Sequence, residues 1–296
     1  MSSKKPGSKK SAKRPGRSSS RKKRQAVSQN LPATKRDAVR PIVLLAGSGK
    51  LFPEWLAIFD HSPYTVVIYI PTGTSPGIDL PEGTKTVSRP DPRASVIIDC
   101  TLGEKQTKKS TLEILDSSYG PETLILTNSL ALSATEQASW IAGKHRLLGV
   151  GLLPGFLERS LLEVAPTAWT PKQTVETALR FFGSLGKNIE IVQDRVGMVA
   201  ARIICQLINE AAFALQDEIA DPEDIDTSMK LGVSYPMGPF EWAERLGIEN
   251  VVTLLQALHE EYQEERYRVS PLLRSMAIGG TWWKKGEASN QNKALS

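Results

Sequence analysis

A glycine-rich turn directly after a short apolar run is the part of the sequence best suited to bind phosphate. Residues 42–46 (IVLLA) are continuously apolar, as in a buried parallel strand, and Gly47, Ser48 and Gly49 follow at once. In the G-x-G-x-x-G pattern the first glycine permits a tight turn, and the second lets the backbone approach a pyrophosphate. We therefore take these three residues as the candidate cofactor-binding residues and a dinucleotide as the candidate ligand.

The rest of the dinucleotide pattern is incomplete. Phe52 replaces the third glycine, at the position where helix and strand pack most closely. An acid that binds the ribose hydroxyls is expected about 20 residues further on. That position is Ile70, the next acid is Asp79, and no arginine stands close by to favour a 2′-phosphate. Two interpretations follow: a working dinucleotide site, or a structural remnant of one.

The histidines and cysteines do not form an evident catalytic or metal-binding group. His61, His145 and His259 fall in a loop, a basic turn and an amphipathic helix, where we expect solvated side chains. Cys100 and Cys205 are far apart and lack a metal-ligand spacing such as CxxC. We predict two reduced, buried thiols and no metal, in a cytoplasmic protein.

The first half of the chain alternates apolar runs with helix-like segments. This alternation predicts a Rossmann-like α/β domain over residues 41–192, built on a doubly wound parallel sheet whose ligand lies at the carboxyl ends of the strands. Residues 71–93, rich in Pro, Gly and Thr, indicate an irregular loop. The runs are residues 42–46, 66–70, 95–100, 123–128, 146–153 and 161–164.

The second half reads as helices separated by Pro and Gly. An apolar helix over 198–219 precedes Asp221-Pro222, which is a typical helix start, and Gly238-Pro239 starts another helix. We predict an all-α domain over residues 193–284, followed by a tail over 285–296.

This order of helices and turns resembles the C-terminal domain of the 3-hydroxyacyl-CoA dehydrogenase family. The matching stretch runs from RVGMVAAR to PMGPFEWAERLG (residues 195–247), and a weaker resemblance extends over 41–280. The resemblance implies NAD-dependent oxidation of a 3-hydroxyacyl-CoA or similar 3-hydroxy acid in fatty-acid metabolism. It also implies an acyl-CoA-type small molecule as ligand and a homodimer formed through the C-terminal helices.

The resemblance also implies roles for single residues. The family's catalytic strand aligns with GVGLLPGFLERSLLEV (149–164), which places its catalytic glutamate at Glu163 and its histidine at Gly151. The family's SNTSS-like turn places a substrate-binding asparagine at Asn128. Its serine and its two other asparagines fall on Leu130, Pro154 and Ala201.

These replacements leave two functional hypotheses. The first is a divergent dehydrogenase, in which Glu163 is catalytic. The second is a catalytically inactive relative, a dimeric binding or scaffold protein, in which Glu163 is a strand-edge glutamate with a solvent or arginine partner. The residues at positions 151, 130 and 201 discriminate between them.

Charge is distributed unevenly along the chain. The net charge is +5, yet residues 1–40 carry 14 Lys and Arg against the single acid Asp37, so the remainder is acidic. We predict a disordered basic tail over residues 1–40. It either makes weak contacts with polyanions or only solvates the protein. No apolar run reaches the ~18 residues that a membrane span needs, so we expect no membrane partner.

Overall fold

The computed structural model describes residues 40–47, 49–71, 75 and 77–279. Nearly all of the predicted basic tail (residues 1–40) lies outside the described residues, and so does the predicted C-terminal tail (285–296). Within the described part, no helix is long and apolar enough to cross a membrane.

The N-terminal half forms the predicted α/β sheet. Its strand order is β3-β2-β1-β4-β5-β6-β7-β8, and all neighbouring strands are parallel except β6 and β7. The chain runs outward in opposite directions from β1, so the crevice between β1 and β4 is the place where such sheets bind ligands. The strands are β1 (Ile42–Ala46), β2 (Thr65–Tyr69), β3 (Thr86–Val87), β4 (Ala94–Asp99), β5 (Leu124–Asn128), β6 (Leu147–Val150), β7 (Leu161–Pro166) and β8 (Asn188–Ile191).

Helices cover both faces of this sheet, which is why β1 is apolar throughout and β4 and β5 are almost entirely buried. On one face, α1 and α4 pack through aromatic side chains that include Trp55 and Phe182. On the other face, α2 and α3 pack through Leu112, Leu115 and Ala138. The bounds are α1 (Phe52–Phe59), α2 (Lys105–Ser118), α3 (Ala134–Ser139) and α4 (Lys172–Ser184).

Two strands were absent from the sequence-based prediction. The span 71–93, predicted as an irregular loop, contains β3, which pairs with β2. The edge strand β8 pairs with β7, but its residues are mostly exposed. A search for apolar runs misses both strands, because β3 has only two residues and most residues of β8 are exposed.

The C-terminal half is helical, as predicted. Its helices share one apolar core with Leu130 and Ala165 of the sheet region, and the described residues from Arg40 to Gly279 belong to a single compact unit. Gly238 precedes α7 because a Cβ there would lie 2.2 Å from Cγ of Asp226, whose carboxylate accepts hydrogen bonds from the first N–H groups of that helix. The helices are α5 (Ala200–Gln216), α6 (Pro222–Gly232), α7 (Pro239–Leu246), α8 (Ile248–Tyr262) and α9 (Pro271–Gly279).

Candidate functional site

The turn after β1 brings the backbone close to the end of β4. Gly47 has φ +101°, and a Cβ at this position would lie 2.4 Å from Thr101 Oγ1 and 2.7 Å from Thr101 N. Only glycine fits such a turn without displacing backbone. Gly49 begins a single helical turn (Gly49–Leu51) before α1, whereas the predicted cofactor-binding residue Ser48 lies outside the described residues.

Phe52 does not prevent helix α1 from packing on the sheet. Its side chain is fully buried and contributes, with Trp55, to the core between α1 and the strands. The helix therefore rests on an aromatic side chain instead of approaching the strand through a glycine. The position nevertheless departs from the dinucleotide pattern, as the sequence predicts.

A cleft of about 280 Å³ lies at the carboxyl ends of the central strands. It lies where the switch-point rule expects a ligand in a doubly wound sheet. Residues from the turn after β1, from the ends of β4, β5 and β6, and from the start of α8 form its walls. Those used below are Lys50, Cys100, Asn128, Leu152 and Glu249.

Asn128 supplies an unsatisfied polar atom to this cleft. Its side chain is 1% exposed, and its Nδ2 donates to the backbone oxygen of Leu152 at 2.9 Å. Its Oδ1 is buried and has no hydrogen-bond partner among the residues that the structure describes. Because a buried polar atom without a partner is costly, Oδ1 is suited to accept a hydrogen bond from a ligand. The substrate-binding role of Asn128 stays a prediction.

Of the described residues, three ionisable ones line the cleft, one buried (Cys100) and two exposed at its mouth (Lys50 and Glu249). Burial raises the pKa of the Cys100 thiol, so this cysteine is a neutral wall residue and not a nucleophile. At the mouth, Lys50 Nζ lies 3.4 Å from Glu249 Oε2, and both side chains are more than half exposed. Such exposed pairs contribute little to stability, so Lys50 is available to a phosphate group.

A buried ion pair lies directly beneath the cleft. Lys108 Nζ, from α2, donates to Asp99 Oδ2 at 2.5 Å and to the backbone oxygen of Thr101 at 2.6 Å. Both charged side chains are fully buried. Burial lowers the pKa of Lys108, and the Asp99 carboxylate opposes that shift. The Thr127 hydroxyl also donates to Asp99 Oδ2, at 2.8 Å, which ties α2 and β5 to the end of β4.

Glu163 lies beside Gly151 in the sheet, but its carboxylate binds the backbone at the start of α5. Gly151 N donates to the backbone oxygen of Glu163 at 3.0 Å, so the two residues are neighbours on β6 and β7. The Glu163 carboxylate accepts hydrogen bonds from Val199 N (3.0 Å) and Ala200 N (2.9 Å), at the start of α5. Backbone N–H groups are therefore its hydrogen-bond partners among the described residues, and its charge also interacts with Arg159. This is favourable electrostatically, since helix N-termini attract negative charge.

The other positions of the family site are filled by apolar packing. A Cβ at Gly151 would lie 3.1 Å from Met198 Sδ and 3.4 Å from Leu130 Cδ2. Leu130 and Ala201 are fully buried in the core that joins the sheet to the helical part. Pro154 lines the cleft. The described residues thus place no imidazole, serine hydroxyl or second asparagine at these points.

None of the three histidines lines the cleft within the part of the chain that the structure describes. His61 is 94% exposed beside Asp60, whereas His145 sits on a single helical turn before β6. His259 lies near the end of α8, and its Nδ1 is 3.2 Å from the backbone oxygen of Glu264. Across the described residues, no group of three or more His, Cys, Asp or Glu side chains is arranged to hold a metal ion.

Two family models match consecutive parts of the chain. The model described as 3-hydroxyacyl-CoA dehydrogenase, NAD binding domain, matches residues 82–195. The model described as 3-hydroxyacyl-CoA dehydrogenase, C-terminal domain, matches residues 197–290. Together they cover more than half of the sequence, and their boundary falls just before α5.

Individual relatives agree with these matches. A probable 3-hydroxybutyryl-CoA dehydrogenase of Bacillus subtilis is 29% identical over 192 residues, covering 65% of this chain and 67% of the relative. A 3-hydroxybutyryl-CoA dehydrogenase of Clostridioides difficile is 31% identical over 181 residues, covering 61% of this chain and 64% of the relative. The matched region thus spans about two thirds of their length. The crystal structure of FadB2 from M. tuberculosis has the same fold, with a TM-score of 0.71, 18% identity, and coverage of 82% of this chain and 95% of that one.

Proposed function

The chain belongs to the 3-hydroxyacyl-CoA dehydrogenase family, and from this premise we propose that it is an oxidoreductase that binds NAD in the cleft between β1 and β4. Its proposed substrate is a 3-hydroxyacyl-CoA or a similar 3-hydroxy acid. The observation that carries the proposal is the cleft itself, which lies beside the Gly47 turn and contains Asn128, whose Oδ1 accepts no hydrogen bond from any described residue. An acyl-CoA-type molecule fits the proposal because the family models and the two relatives above are named for such substrates.

The residues of the cleft fit a dinucleotide in three respects. Gly47 forms the tight turn after β1 that the first glycine of the dinucleotide pattern provides, packed against Thr101 at the end of β4. Lys50 offers a mobile positive charge at the mouth for a phosphate. Asn128 Oδ1 can accept a hydrogen bond from an N–H or O–H donor. When bound, the nicotinamide ring supplies the hydride-accepting group.

The proton from the substrate hydroxyl has no evident acceptor at position 151. Glu163 is the nearest carboxylate, but both of its oxygens already accept backbone N–H groups. A well-placed general base contributes about 10²–10⁴-fold to a rate. We therefore expect slower turnover than in relatives that carry a histidine–glutamate pair.

The packing around Gly151 favours a second candidate, a family relative that binds ligand without turning it over. Met198 and Leu130 occupy the space that a catalytic side chain at this position would need. In such a protein the cleft would still bind a dinucleotide, and the helical part would act as a dimeric binding surface. Binding alone therefore does not distinguish the two candidates, whereas turnover does.

The test combines cofactor binding with turnover by the full-length protein. We expect NADH to bind, as measured by its fluorescence, and to be oxidised slowly when acetoacetyl-CoA is added. Lys50→Ala should weaken NADH binding by about three- to tenfold, since one phosphate contact is lost. Lys109→Ala is the matched control, because Lys109 also pairs with a glutamate (Glu113, 3.9 Å) but lies on α2 and does not line the cleft.

Each outcome of this test is decisive. Binding with turnover supports the oxidoreductase. Binding with no detectable turnover supports the non-catalytic relative. No binding of either NADH or NADPH at millimolar concentration overturns both candidates.

We propose further that the protein is a homodimer formed through its C-terminal helices. Val199 and Ile203 at the start of α5 are 50% and 53% exposed, and Leu231 of α6 is 81% exposed, and burial of such apolar side chains against a second copy is favourable. Sedimentation should give twice the chain mass of 32.4 kDa, and Ile203→Glu should shift it to the monomer. Monomeric wild-type protein would contradict the proposal. A cytoplasmic location and weak polyanion contacts of residues 1–40 stay predictions.

A further inference from the structure

The end of β2 is the point where a doubly wound sheet selects its dinucleotide. An acid there binds the ribose 2′-hydroxyl of NAD and repels a 2′-phosphate, whereas a nearby arginine accommodates the 2′-phosphate of NADP. Here β2 ends at Tyr69 and continues into Ile70 and Pro71, so no acid follows the strand directly. The usual basis for preferring NAD is therefore missing.

The structure places an arginine at this same edge, which the sequence alone does not reveal. β3 runs parallel to β2, with Tyr69 opposite Val87, and Ile70 N donates to the Val87 backbone oxygen at 2.9 Å. Arg89 lies two residues beyond this contact, so it leaves the sheet at the carboxyl end of β3, beside the end of β2. Neighbouring parallel strands are about 4.8 Å apart, which an arginine side chain spans easily. Arg89 is 19 positions after Ile70 in the chain, which hides their proximity.

Arg89 is also free to bind a ligand. It is exposed, and it has no hydrogen bond or ion pair with any other residue that the structure describes. Arg93, by contrast, donates to both carboxylate oxygens of Asp91, at 3.0 and 2.7 Å. An unpaired guanidinium that binds a phosphate loses no existing partner in doing so.

Two acids lie in the loop between β2 and β3. Asp79 and Glu82 are both exposed, and neither forms an ion pair with Arg89. Ile78 and Leu80, on either side of Asp79, pack against the core on the α1 face of the sheet. Asp79 is therefore the rival candidate for contact with the ribose, and the experiment below tests it directly.

We propose that Arg89 is a specificity-determining residue that gives the cleft a preference for the 2′-phosphorylated dinucleotide, NADP(H), over NAD(H). The inference rests on the dinucleotide binding proposed above. It names a different preferred cofactor form from the one in the name of the matching family model.

The experiment compares the binding of NADPH and NADH to the full-length protein by titration calorimetry. We expect NADPH to bind at least about tenfold more tightly. Arg89→Ala should weaken NADPH binding about tenfold to hundredfold, the usual effect of removing a hydrogen bond to a charged group, and leave NADH binding unchanged. Arg93→Ala is the matched control and should leave the ratio of the two affinities unchanged, because Arg93 directly precedes β4, at the amino ends of the parallel strands and away from the end of β2.

Three results would overturn the inference while leaving dinucleotide binding intact. One is NADH binding as tightly as NADPH or more tightly. Another is a loss of affinity in Arg89→Ala that is equal for both nucleotides. The third is a selective loss of NADH binding in Asp79→Asn, which would make that acid the ribose ligand. If neither nucleotide binds, the proposed function itself fails, and this inference fails with it.

Discussion

Replacing Lys108 with methionine is expected to lower the free energy of unfolding by about 3–5 kcal/mol, the usual cost of breaking a buried ion pair from one side. Lys108 and Asp99 are both fully buried, and their 2.5 Å contact is the lysine's only interaction with an acid among the described residues. Without the lysine, the Asp99 carboxylate keeps its hydrogen bonds from Thr101 N and the Thr127 hydroxyl but loses its counter-charge. Denaturant unfolding of the full-length protein measures the loss.

Two further variants show whether charge is the cause. Lys109→Met removes the adjacent lysine of the same helix, whose side chain is 41% exposed, and should cost less than about 1 kcal/mol. The double variant Asp99→Asn/Lys108→Met removes both charges and should regain most of the lost stability. A loss below about 1 kcal/mol in Lys108→Met, or a double variant no more stable than that single variant, would contradict this account.

The sheet was largely predictable because its central strands are buried on both faces. β1 is apolar from end to end, and β4 and β5 each contain a continuous apolar stretch (VII and LIL), a pattern that few other structures between helices accommodate. β3 could not be predicted, since two residues carry no pattern. Its position matters nonetheless, because it sets Arg89 beside the end of β2. The sequence, in which no arginine stands close to Ile70, does not reveal this placement.

The ion pair beneath the cleft was not predictable from local sequence. Lys108 lies in KQTKKS, a segment that looks like the solvated face of a helix. Only the packing of α2 over β4 brings it to Asp99. One signal was available, because an acid ends the otherwise apolar run SVIIDC (95–100) and an acid in a buried strand needs a partner. That signal does not identify which of several lysines provides the partner.

At the positions of the family site, the location of Glu163 was predictable from the sequence, but its hydrogen bonds were not. The alignment of Glu163 with a catalytic glutamate came from the sequence, and the structure does place it next to Gly151 on the neighbouring strand. Its hydrogen bonds to Val199 and Ala200 depend on where α5 begins, which is 37 positions away. Met198 fills the space beside Gly151, and this residue has an unusual backbone conformation, with φ +44°, that the sequence does not predict.

Introducing a histidine at position 151 is expected to raise the turnover of acetoacetyl-CoA by about 10²–10⁴-fold, the usual contribution of a general acid or base. A Cβ at this position would be 3.7 Å from the Cβ of Glu163, so the new imidazole and the carboxylate would share one face of the sheet. Met198 Sδ would be only 3.1 Å from that Cβ, so Gly151→His is combined with Met198→Ala to make room. Absorbance of the reduced cofactor follows the reaction.

The control variants distinguish the effect of the imidazole on turnover from the effect of the space that the substitutions open. Gly151→Ala/Met198→Ala opens the same space without a base and should leave turnover unchanged. Adding Glu163→Gln to the histidine variant should cancel most of the gain, because an amide cannot stabilise an imidazolium as a carboxylate does. If the folded histidine variant binds dinucleotide yet shows no gain, the space beside Glu163 is not where the substrate hydroxyl lies. The loss of the histidine then follows from a change in how substrate binds, and Glu163 serves chiefly to hold the N-terminus of α5.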